Sequence, residues 1–564
     1  MSRIEGHLRI EAAVADGRVT DAWSSSTMFR GIEKILQGRD PRDAWYFTQR
    51  FCGVCTTVHS IASIRAVENA LNLRIPLNAE LIRNIIIGIQ SVQDHVIHFY
   101  HLHALDWVDI TSALKASPAG TARLAASISD WPKNSATYFR TVQEKLQGFV
   151  SSGRLGPFAN AYWGHSAYRL PPEANLMATA HYLEALEWQR DVIKIHAILG
   201  SKNPHPQTFL VGGMAIAIDP DSQSALNDSK LTEIRQLMVR ANEFVEKVYI
   251  PDLLAVASFY LDWGAIGGGV GNFMSYGEFP ADTSGKAEKL WLPPGIILNR
   301  NLNKLFPVNQ GAIAEYVDHS WYEYSGGPGT SLHPWQGETS ERYTGPTPPY
   351  EYLDTERKYS WVKAPRYEEK PMEVGPLARM VVAYAAGHKE VRQTVQMVLA
   401  KLGIGPEALF STLGRTAARG IETLLISRKL LTLHDELVAN IASGDYRIHN
   451  GDKWEPESWH GEKKELLGYG WHEAPRGALG HWIRIADQKI VNYQAVVPST
   501  WNASPRDAKG LRGPYESALL GTPLADPNKP LEILRTLHSF DPCLACAVHV
   551  TDPSGSELVK VRVL

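Results

Sequence analysis

Two pairs of cysteines are the residues of this sequence with the clearest capacity for metal chemistry. Cys52 and Cys55 lie in RFCGVCTTVH, Cys543 and Cys546 lie in DPCLACAVH, and these four are all the cysteines in the 564 residues. Two thiolates in a Cys-x-x-Cys pair can converge on one metal ion. Because Cys55 and Cys543 are 488 positions apart, a site that uses both pairs must join the two ends of the chain.

Spacing alone allows three interpretations of the four thiols. They can form a structural tetrahedral zinc site, two redox-active or disulfide pairs, or a buried centre with a redox metal. A zinc ribbon usually unites its pairs within a few tens of residues, which the separation here does not match. Matched histidines, His59 and His549, follow the two pairs and argue against plain disulfides. Soft thiolates select nickel, iron, copper(I) or zinc, and nickel or iron would add redox chemistry that zinc lacks.

The bulk composition is that of an ordinary globular protein. Hydrophobic residues make up 44% and charged residues 21% of the chain, and the net charge is −3, so there is no electrostatic case for nucleic acid binding. The start has no apolar run of the length that a secretory signal needs, and no apolar stretch reaches about 18 residues, the minimum for a spanning helix. We therefore expect export or membrane association to depend on a partner.

The elements that must position the cysteines begin with a hairpin. Apolar and polar residues alternate through HLRIEAAVADGRVTDAWSSS, and Asp16-Gly17 suits a two-residue turn, so a β-hairpin should deliver the chain to the first cysteine pair. From residue 60 to about 250 the apolar period changes to 3.6 residues, which predicts long helices. One predicted helical face carries Leu81, Ile85, Ile89, Val92, Val96 and Phe99.

The rest of the chain divides by composition. We predict a helix over about 175–199, short strands and loops in the Gly-, Pro-, Trp- and Tyr-rich stretch 262–375, and further helices over 377–402 and 406–443. Strands and turns follow to the final cysteines. The predicted division is 1–60 (hairpin and first Cys pair), 61–260 (helical core), 261–375 (strand and loop region), 376–445 (helical hairpin of the core), 446–549 (mixed region with second Cys pair) and 550–564 (a separate extension).

Five motifs in order give the sequence a family resemblance. They are RIEGH (3–7), RFCGVCTTVH (50–59), APRGALGHW (474–482), VVPSTWN (496–502) and DPCLACAVH (541–549). Together they resemble the large subunit of a [NiFe] hydrogenase, and QDHVIHFYHLHALDWVDITSAL and KIHAILGSKNPHPQ resemble its respiratory, membrane-associated uptake branch. The resemblance covers almost the whole chain. It implies an α+β, predominantly helical fold with a central bundle of long helices and small peripheral β and α/β elements.

The resemblance implies a Ni-Fe centre held by the four cysteines. Cys52 and Cys543 match terminal nickel ligands, whereas Cys55 and Cys546 match thiolates that bridge nickel to an iron with CO and two cyanide ligands. Such a centre would catalyse reversible heterolytic cleavage of H2, a reaction that needs an acceptor for hydride and a nearby base for the proton.

Several further residues match the surroundings of that centre. Arg476 matches an arginine over the open face of the metals, with Pro475 beside it, and Asp94 and Asp541 match the carboxylates that hold it. A guanidinium suits this task because its planar fork can bind two carboxylates at once. Without the cysteines, buried ion pairing with no chemistry would be the better interpretation.

Two more matches concern the proton and the iron. Glu5 of RIEGH matches a glutamate that takes the proton from Cys543, although a glutamate near a chain end is most often a solvated surface group. Ser499 matches a donor to one cyanide ligand, a contact that would tune the iron.

A second ion and a cleavage site are also implied. Glu33, the backbone carbonyl at Ala495 and His549 match the ligands of a magnesium or similar ion. In the family a dedicated endopeptidase removes a C-terminal extension after metal insertion, and here it would cut between His549 and Val550. We therefore expect this sequence to be a precursor that ends in a removable tail.

The His-rich segment DHVIHFYHLH allows two interpretations. Asp94, His98 and His101 fall at i, i+4 and i+7, so they can share a helical face and bind a metal. We instead predict that the two histidines are hydrogen-bonded core or interface residues, because the metals already have ligands.

Partners and location follow from the resemblance. The chain has no cysteines left for an iron-sulfur cluster, so electrons should leave through an iron-sulfur small subunit and then a membrane cytochrome b or other quinone-reducing subunit. Metal-insertion chaperones and the endopeptidase would act on the cytoplasmic precursor. The pair would then be exported on the small subunit's signal to the periplasmic face of the membrane.

Two alternative functions remain. One is a metal-free sister protein like the quinone-site subunit of respiratory NADH dehydrogenase, and the other is a regulatory H2-sensing homologue. The complete cysteine set argues against the first, and the tail argues against both.

Overall fold

Long helices form the core of the described part of the chain, and small sheets lie at its edges. The structure is a computed structural model that describes residues 1–153, 155–159, 161–281, 289–346, 353–459 and 464–544. This α+β, predominantly helical arrangement is the fold class that the sequence predicts. Within those residues, no helix combines the length and the apolarity that crossing a membrane requires.

The chain starts with the predicted hairpin. Strands β1 (Leu8–Ala15) and β2 (Arg18–Ser26) pair antiparallel from Leu8 opposite Ser26 to Ala15 opposite Arg18. Asp16 and Gly17 form the tip with φ angles of 51° and 68°, the left-handed region that this turn type requires. Short helices α1 (Ile32–Leu36) and α2 (Ala44–Thr48) then lead to the first cysteine pair.

Helices α3 (Val58–Ala70) and α4 (Leu77–Ile97) follow the first cysteine pair. All six positions of the predicted α4 face are buried, which confirms that face. The other sides of α4 are buried as well, including the apolar Ile82 and Ile86 and the polar Arg83 and Asp94, because helices and strands surround the helix. Burial on every side is typical of a helix at a core position.

The core continues through a second group of helices. They are α5 (Ile110–Ala113), α6 (Pro118–Ile128), α7 (Ala136–Ser151), α8 (Pro172–Val192), α9 (Lys194–Gly200), α10 (Asp228–Phe244) and α11 (Ile250–Ala257), with the two-stranded pair β3 (Phe209–Leu210) and β4 (Gly213–Met214) before α10. The predicted helix over 175–199 is thus two helices, with a turn at Ile193 between them.

Short strands fill the Gly- and Pro-rich region, as predicted. They are β5 (Phe273–Ser275), β6 (Glu278–Pro280), β7 (Leu290–Leu292), β8 (Gly295–Ile297), β9 (Ile313–Tyr316), β10 (Ser331–Leu332) and β11 (Ala364–Tyr367). β5 pairs with β8, β6 pairs with β7, and β9 lies between β10 and β11.

Three further helices complete the core: α12 (Pro376–Ala385), α13 (Lys389–Leu402) and α14 (Thr412–Ala442). Two predictions need correction here. The helix over 377–402 is interrupted at Gly387, whose φ of 87° ends α12, and the long helix begins at Thr412 because Ser411 caps it by accepting from the Gly414 amide. α14 packs along α4.

The last part holds one three-stranded sheet, with β13 (Gly477–Ala486) between β12 (Glu465–Ala474) and β14 (Lys489–Val496), followed by α15 (Pro498–Asn502), α16 (Pro514–Leu519) and α17 (Leu531–His538). Ala474 pairs with Gly477, so Pro475 and Arg476 alone form the tip of the β12–β13 hairpin. This tip is buried against the start of α12: a Cβ on Gly477 would lie 2.6 Å from the Gly375 amide nitrogen.

Candidate metal centre

Three of the four cysteines meet inside the protein. The sulfurs of Cys52, Cys55 and Cys543 all lie within 4.8 Å of one another. Cys543 Sγ is 3.6 Å from Cys52 Sγ and 4.0 Å from Cys55 Sγ, well beyond the disulfide bond length of about 2.05 Å. Each residue is at most 4% exposed. The described thiols from both ends of the chain therefore converge as one shared metal centre requires.

A tight turn presents the first pair. A 3-10 turn, Gln49–Phe51, ends at Cys52, and the amide of Cys55 donates to Cys52 Sγ at 3.3 Å. Helix α3 starts three residues after Cys55, so both sulfurs are fixed just ahead of its N-terminus. His59, in the first turn of α3, contacts His481 Nε2 at 3.1 Å through Nδ1.

A backbone bridge places Glu5 beside Cys543. The Glu5 amide donates to the Pro542 carbonyl at 3.3 Å, and the Leu544 amide donates to the Glu5 carbonyl at 2.8 Å. This short parallel pairing brings Glu5 Oε2 to 3.2 Å from Cys543 Sγ. The carboxyl is thus at proton-transfer distance from the sulfur.

Arg476 reaches the thiols from the hairpin tip. Its Nη1 lies 3.3 Å from Asp94 Oδ2 and its Nη2 lies 3.1 Å from Asp541 Oδ1. Asp94 also accepts from Gln90 Nε2 at 2.7 Å. The structure therefore brings the arginine and both carboxylates together as the resemblance implies.

Acidic groups and thiols surround the guanidinium of Arg476. Burial raises the pKa of Asp94 to about 8, and Asp541 and Cys52 add to this effect although Arg476 opposes it. Burial disfavours the charged guanidinium of Arg476, yet the acidic groups around it hold its pKa well above the ordinary value. Besides Arg476, the buried guanidinium of Arg419 also interacts with Asp541. The three thiols are soft donors for a metal cation, so a metal held by thiolates fits the residues present.

Ser499 and Pro475 line the space next to the sulfurs. The Cys543 amide donates to Ser499 Oγ at 3.1 Å. A cavity of about 10 Å³ lies between Cys55, Pro475, Arg476, Ser499 and Cys543, close to the smallest space that holds one water.

A second, partly open pocket holds the residues that resemble ion ligands. The Ala495 amide donates to Glu33 Oε1 at 3.0 Å, and Thr339 Oγ1 donates to Glu33 Oε2. Lys363 and Glu315 line the same pocket, and burial raises the pKa of Glu315 to about 7, with Glu33 adding to the rise against the effect of Lys363. Glu33 and the backbone of Ala495 are therefore adjacent.

Two histidines of the His-rich segment, His98 and His101, contact backbone carbonyl oxygens. His98 Nε2 is 2.6 Å from the His538 carbonyl oxygen and His101 Nε2 is 3.1 Å from the Tyr182 carbonyl oxygen, in a π-helical turn, His98–His103. This confirms the prediction that both histidines are hydrogen-bonded.

Two buried clusters near the centre were not predicted from the sequence. In one, Asp106 binds Arg3, His103 and His538, which ties the segment before Glu5 to the core. In the other, Arg379 binds Glu422 and Glu473 close to the hairpin tip. The only signal for the first is the density of His and Asp in HFYHLHALD; the members of the second are single charged residues in helices and a strand and carry no motif.

Cys546, His549 and Val550 lie outside the described residues. Their predicted roles as bridging thiolate, ion ligand and cleavage site therefore stay predictions.

Comparisons with known proteins agree with this geometry. A profile of the nickel-dependent hydrogenase family matches residues 30–549. The uptake hydrogenase large subunit of Bradyrhizobium diazoefficiens is 53% identical over 100% of this chain and 96% of its own length, and the hydrogenase-1 large chain of Escherichia coli is 47% identical with the same coverage. The solved structure of the Ni-Fe-Se hydrogenase from Desulfovibrio vulgaris Hildenborough matches with a TM-score of 0.76 and 34% identity, over 97% of this chain and 98% of that chain.

Proposed function

Because this chain belongs to the nickel-dependent hydrogenase family, in which it is a catalytic large subunit, we propose that it oxidises H2 in the uptake direction. Each H2 would yield two protons and two electrons, and the electrons would pass to an iron-sulfur small subunit. The observation that carries this proposal is the convergence of Cys52, Cys55 and Cys543 beneath the guanidinium of Arg476.

The four cysteines would hold the metals. Cys52 and Cys543 would be terminal ligands of nickel, and Cys55 and Cys546 would bridge it to an iron with CO and two cyanide ligands. When bound, this centre supplies the electron-pair acceptor that heterolytic cleavage of H2 needs.

Glu5 and Cys543 would move the proton. The thiolate sulfur of Cys543 accepts the proton of H2, and Glu5 Oε2, at 3.2 Å, receives it from there. Their separation is fixed by backbone hydrogen bonds rather than by flexible side chains alone, so the transfer distance is set before H2 arrives.

Arg476 would orient the reaction. Its guanidinium, held by Asp94 and Asp541, lines the small cavity and fills space that water would otherwise take. Ser499 Oγ lines the same space and would donate to a cyanide ligand of the iron.

Glu33, the Ala495 carbonyl and His549 would bind a magnesium or similar divalent ion, whose oxygen and nitrogen ligands suit a hard or borderline cation. Cleavage between His549 and Val550 would follow metal insertion. The family profile stops matching at His549, which supports this position for the cut.

Location and further partners complete the proposal. The mature chain would work at the periplasmic face of the cytoplasmic membrane, exported with its small subunit. A cytochrome b or other quinone-reducing subunit would take the electrons to the respiratory quinone pool. The similar full-length proteins named as uptake hydrogenases favour this role over H2 sensing.

The test is to purify the chain with its copurifying subunits after expression with the full maturation machinery. Elemental analysis should find nickel, with iron in excess of it because the small subunit also holds iron; infrared spectra should show CO and cyanide bands, and the mass of this chain should end at His549. H2-dependent dye reduction should fall in a Glu5→Gln variant and be retained in Glu11→Gln, a control on strand β1. Zinc alone, no diatomic bands and an intact tail would contradict the proposal.

A further inference from the structure

The tip of the β12–β13 hairpin is unusual because it is buried. Hairpin tips generally lie at the surface, where water satisfies their backbone groups. Here Ala474 and Arg476 are only 3% and 4% exposed, so the carbonyls of this tip need donors from the protein. Whatever supplies those donors also fixes where the Arg476 side chain begins.

Arg379, in helix α12, supplies them. Its Nη1 donates to the Ala474 carbonyl at 2.8 Å, and its Nη2 donates to the Pro475 carbonyl at 2.9 Å. These are the two residues immediately before Arg476. Arg379 is 2% exposed and belongs to none of the motifs in the sequence.

Two carboxylates hold the Arg379 guanidinium in turn. Glu473 Oε2 accepts from Nη1 at 2.7 Å, and Glu422 of α14 accepts from Nε and Nη2, the latter at 2.7 Å. All five guanidinium hydrogens are accounted for by these three bonds and the two to the tip carbonyls. A rigid planar fork used in this way fixes both position and orientation.

The same cluster also reaches the partner of Arg476. Glu422 Oε2 lies 3.0 Å from His95 Nε2, and His95 is the neighbour of Asp94 in helix α4. One buried cluster therefore ties the hairpin tip that carries Arg476 to the helix that carries Asp94.

We propose that Arg379, held by Glu422 and Glu473, is a positioning residue for H2 cleavage, which sets the Arg476 guanidinium over the thiols by fixing the hairpin tip. Arg379 does not contact the thiols itself. The inference rests on the orienting role proposed for Arg476 and adds the residues through which that role is maintained.

The chain contains a matched control for a merely structural role. Arg83 is also buried, binds Glu68 in a bidentate pair at 2.9 and 2.8 Å, and donates to the carbonyls of Leu210 and Gly213. Those carbonyls belong to the β3–β4 pair, which carries none of the predicted site residues. Arg83→Lys removes the same kind of contacts without touching the hairpin tip.

The experiment compares Arg379→Lys with Arg83→Lys in the mature complex, with rates expressed per nickel. We expect Arg379→Lys to lower kcat for H2 oxidation about tenfold with KM for H2 within about twofold, because supporting contacts of a site typically change activity by ~10- to 100-fold. Hydrogen-deuterium exchange should speed up at residues 470–480 in this variant. Arg83→Lys should change neither kcat nor KM by more than about twofold.

A double-mutant cycle decides whether Arg379 acts through Arg476. Arg476→Lys alone should lower kcat about 100-fold, and adding Arg379→Lys should lower it by no more than about a further twofold, since residues that act through one another are not additive. If the factors by which the two single substitutions lower kcat instead multiply in the double variant, the two residues act independently and the inference is overturned. If Arg476→Lys alone leaves kcat unchanged, the proposed role of Arg476 fails, whereas a fall in Arg476→Lys with no change in Arg379→Lys overturns only the inference.

Glu422→Gln covers the case in which Arg379→Lys takes up no nickel. This variant keeps the size of the side chain and weakens its hydrogen bonds with Arg379. It should therefore load nickel and lower kcat by a smaller factor than Arg379→Lys does. Glu68→Gln is its control. Failure of Glu422→Gln to load nickel, with normal loading in Glu68→Gln, would assign the cluster to metal insertion and contradict the positioning role.

Discussion

The hairpins β1–β2 and β12–β13 each have a two-residue tip, yet different forces shape the two tips. Asp16 and Gly17 are exposed and adopt left-handed φ angles that their residue types favour. Pro475 and Arg476 are buried, and the carbonyls of Ala474 and Pro475 are bound by the guanidinium of Arg379 from helix α12. Local turn chemistry therefore suffices for the first tip, whereas the second exists only within the assembled core.

The largest predicted effect concerns the buried tip. Arg476→Lys should lower kcat for H2 oxidation about 100-fold, because an ammonium group cannot bind two carboxylates and still point a nitrogen at the site. Nickel content should stay unchanged. The control at the other hairpin is Arg18→Lys, beside the exposed tip. It should leave the rate per nickel within about twofold of the unsubstituted protein. An equal loss of rate in both variants would contradict the difference between the two tips.

Gly17, in the exposed tip, and Gly477, next to the buried tip, offer a comparison in stability. Gly477→Ala should destabilise the protein by about 2–4 kcal/mol, because the residue has a φ of 133° and the new Cβ would meet the Gly375 amide nitrogen at 2.6 Å. Gly17→Ala should cost only about 1 kcal/mol, since its φ of 68° is strained for alanine but the nearest atom is 3.8 Å away. The apparent unfolding temperatures of both variants, recorded at one scan rate, measure these effects. A smaller fall in unfolding temperature for Gly477→Ala than for Gly17→Ala would contradict the prediction.

A pH effect probes the packing of the first hairpin. Burial raises the pKa of Glu516 to about 7, although the Ser24 amide of β2 and the Tyr359 hydroxyl donate to it. The folded state then binds an extra proton between the ordinary pKa of 4.5 and about 7, so this group's contribution to stability is full below pH 4.5 and is lost as the pH rises through 7.

Glu516→Gln should therefore reduce the fall in unfolding temperature between pH 5 and pH 8. Glu243→Gln, at a position on α10 whose side chain is 45% exposed, is the control and should leave that fall unchanged. An undiminished fall in Glu516→Gln would show that this carboxyl does not carry the pH dependence.

The smallest effect is expected at the exposed tip itself. Asp16→Gly relieves a left-handed φ of 51° but adds freedom to the unfolded chain, so stability should change by no more than about 0.5 kcal/mol. Activity per nickel should not change. A loss of several kcal/mol would show that this tip also depends on distant contacts.

The same contrast explains what could be predicted from the sequence. Asp16-Gly17 and the 3.6-residue period of α4 are local signals, and the structure confirms both. The grouping of Cys52, Cys55, Cys543, Glu5 and Arg476 came from motifs that resemble a family, because no local pattern relates residues at opposite ends of a chain. The helix breaks at Ile193 and Gly387 were missed since a helical period can run across a short turn.

Arg379 could not be predicted in either way. Its partners Glu422 and Glu473 are 43 and 94 positions away, and none of the three lies in a motif with chemical meaning. A buried arginine bound to backbone carbonyls is recognised only when the carbonyls are seen. Glu33 and Ala495 are an intermediate case. The family resemblance predicts them, but only the structure shows that they are in contact.

The bridge between Glu5 and Cys543 also sets the order in which the protein can be completed during synthesis. Cys543 follows Cys52 by 491 residues, so at about 5–20 residues per second the ribosome releases it roughly 25–100 s after the first pair. Contacts of such high contact order form late and slowly. For that interval the nascent chain displays Cys52 and Cys55 without Cys543, so the described group of three thiols cannot close until synthesis is almost complete.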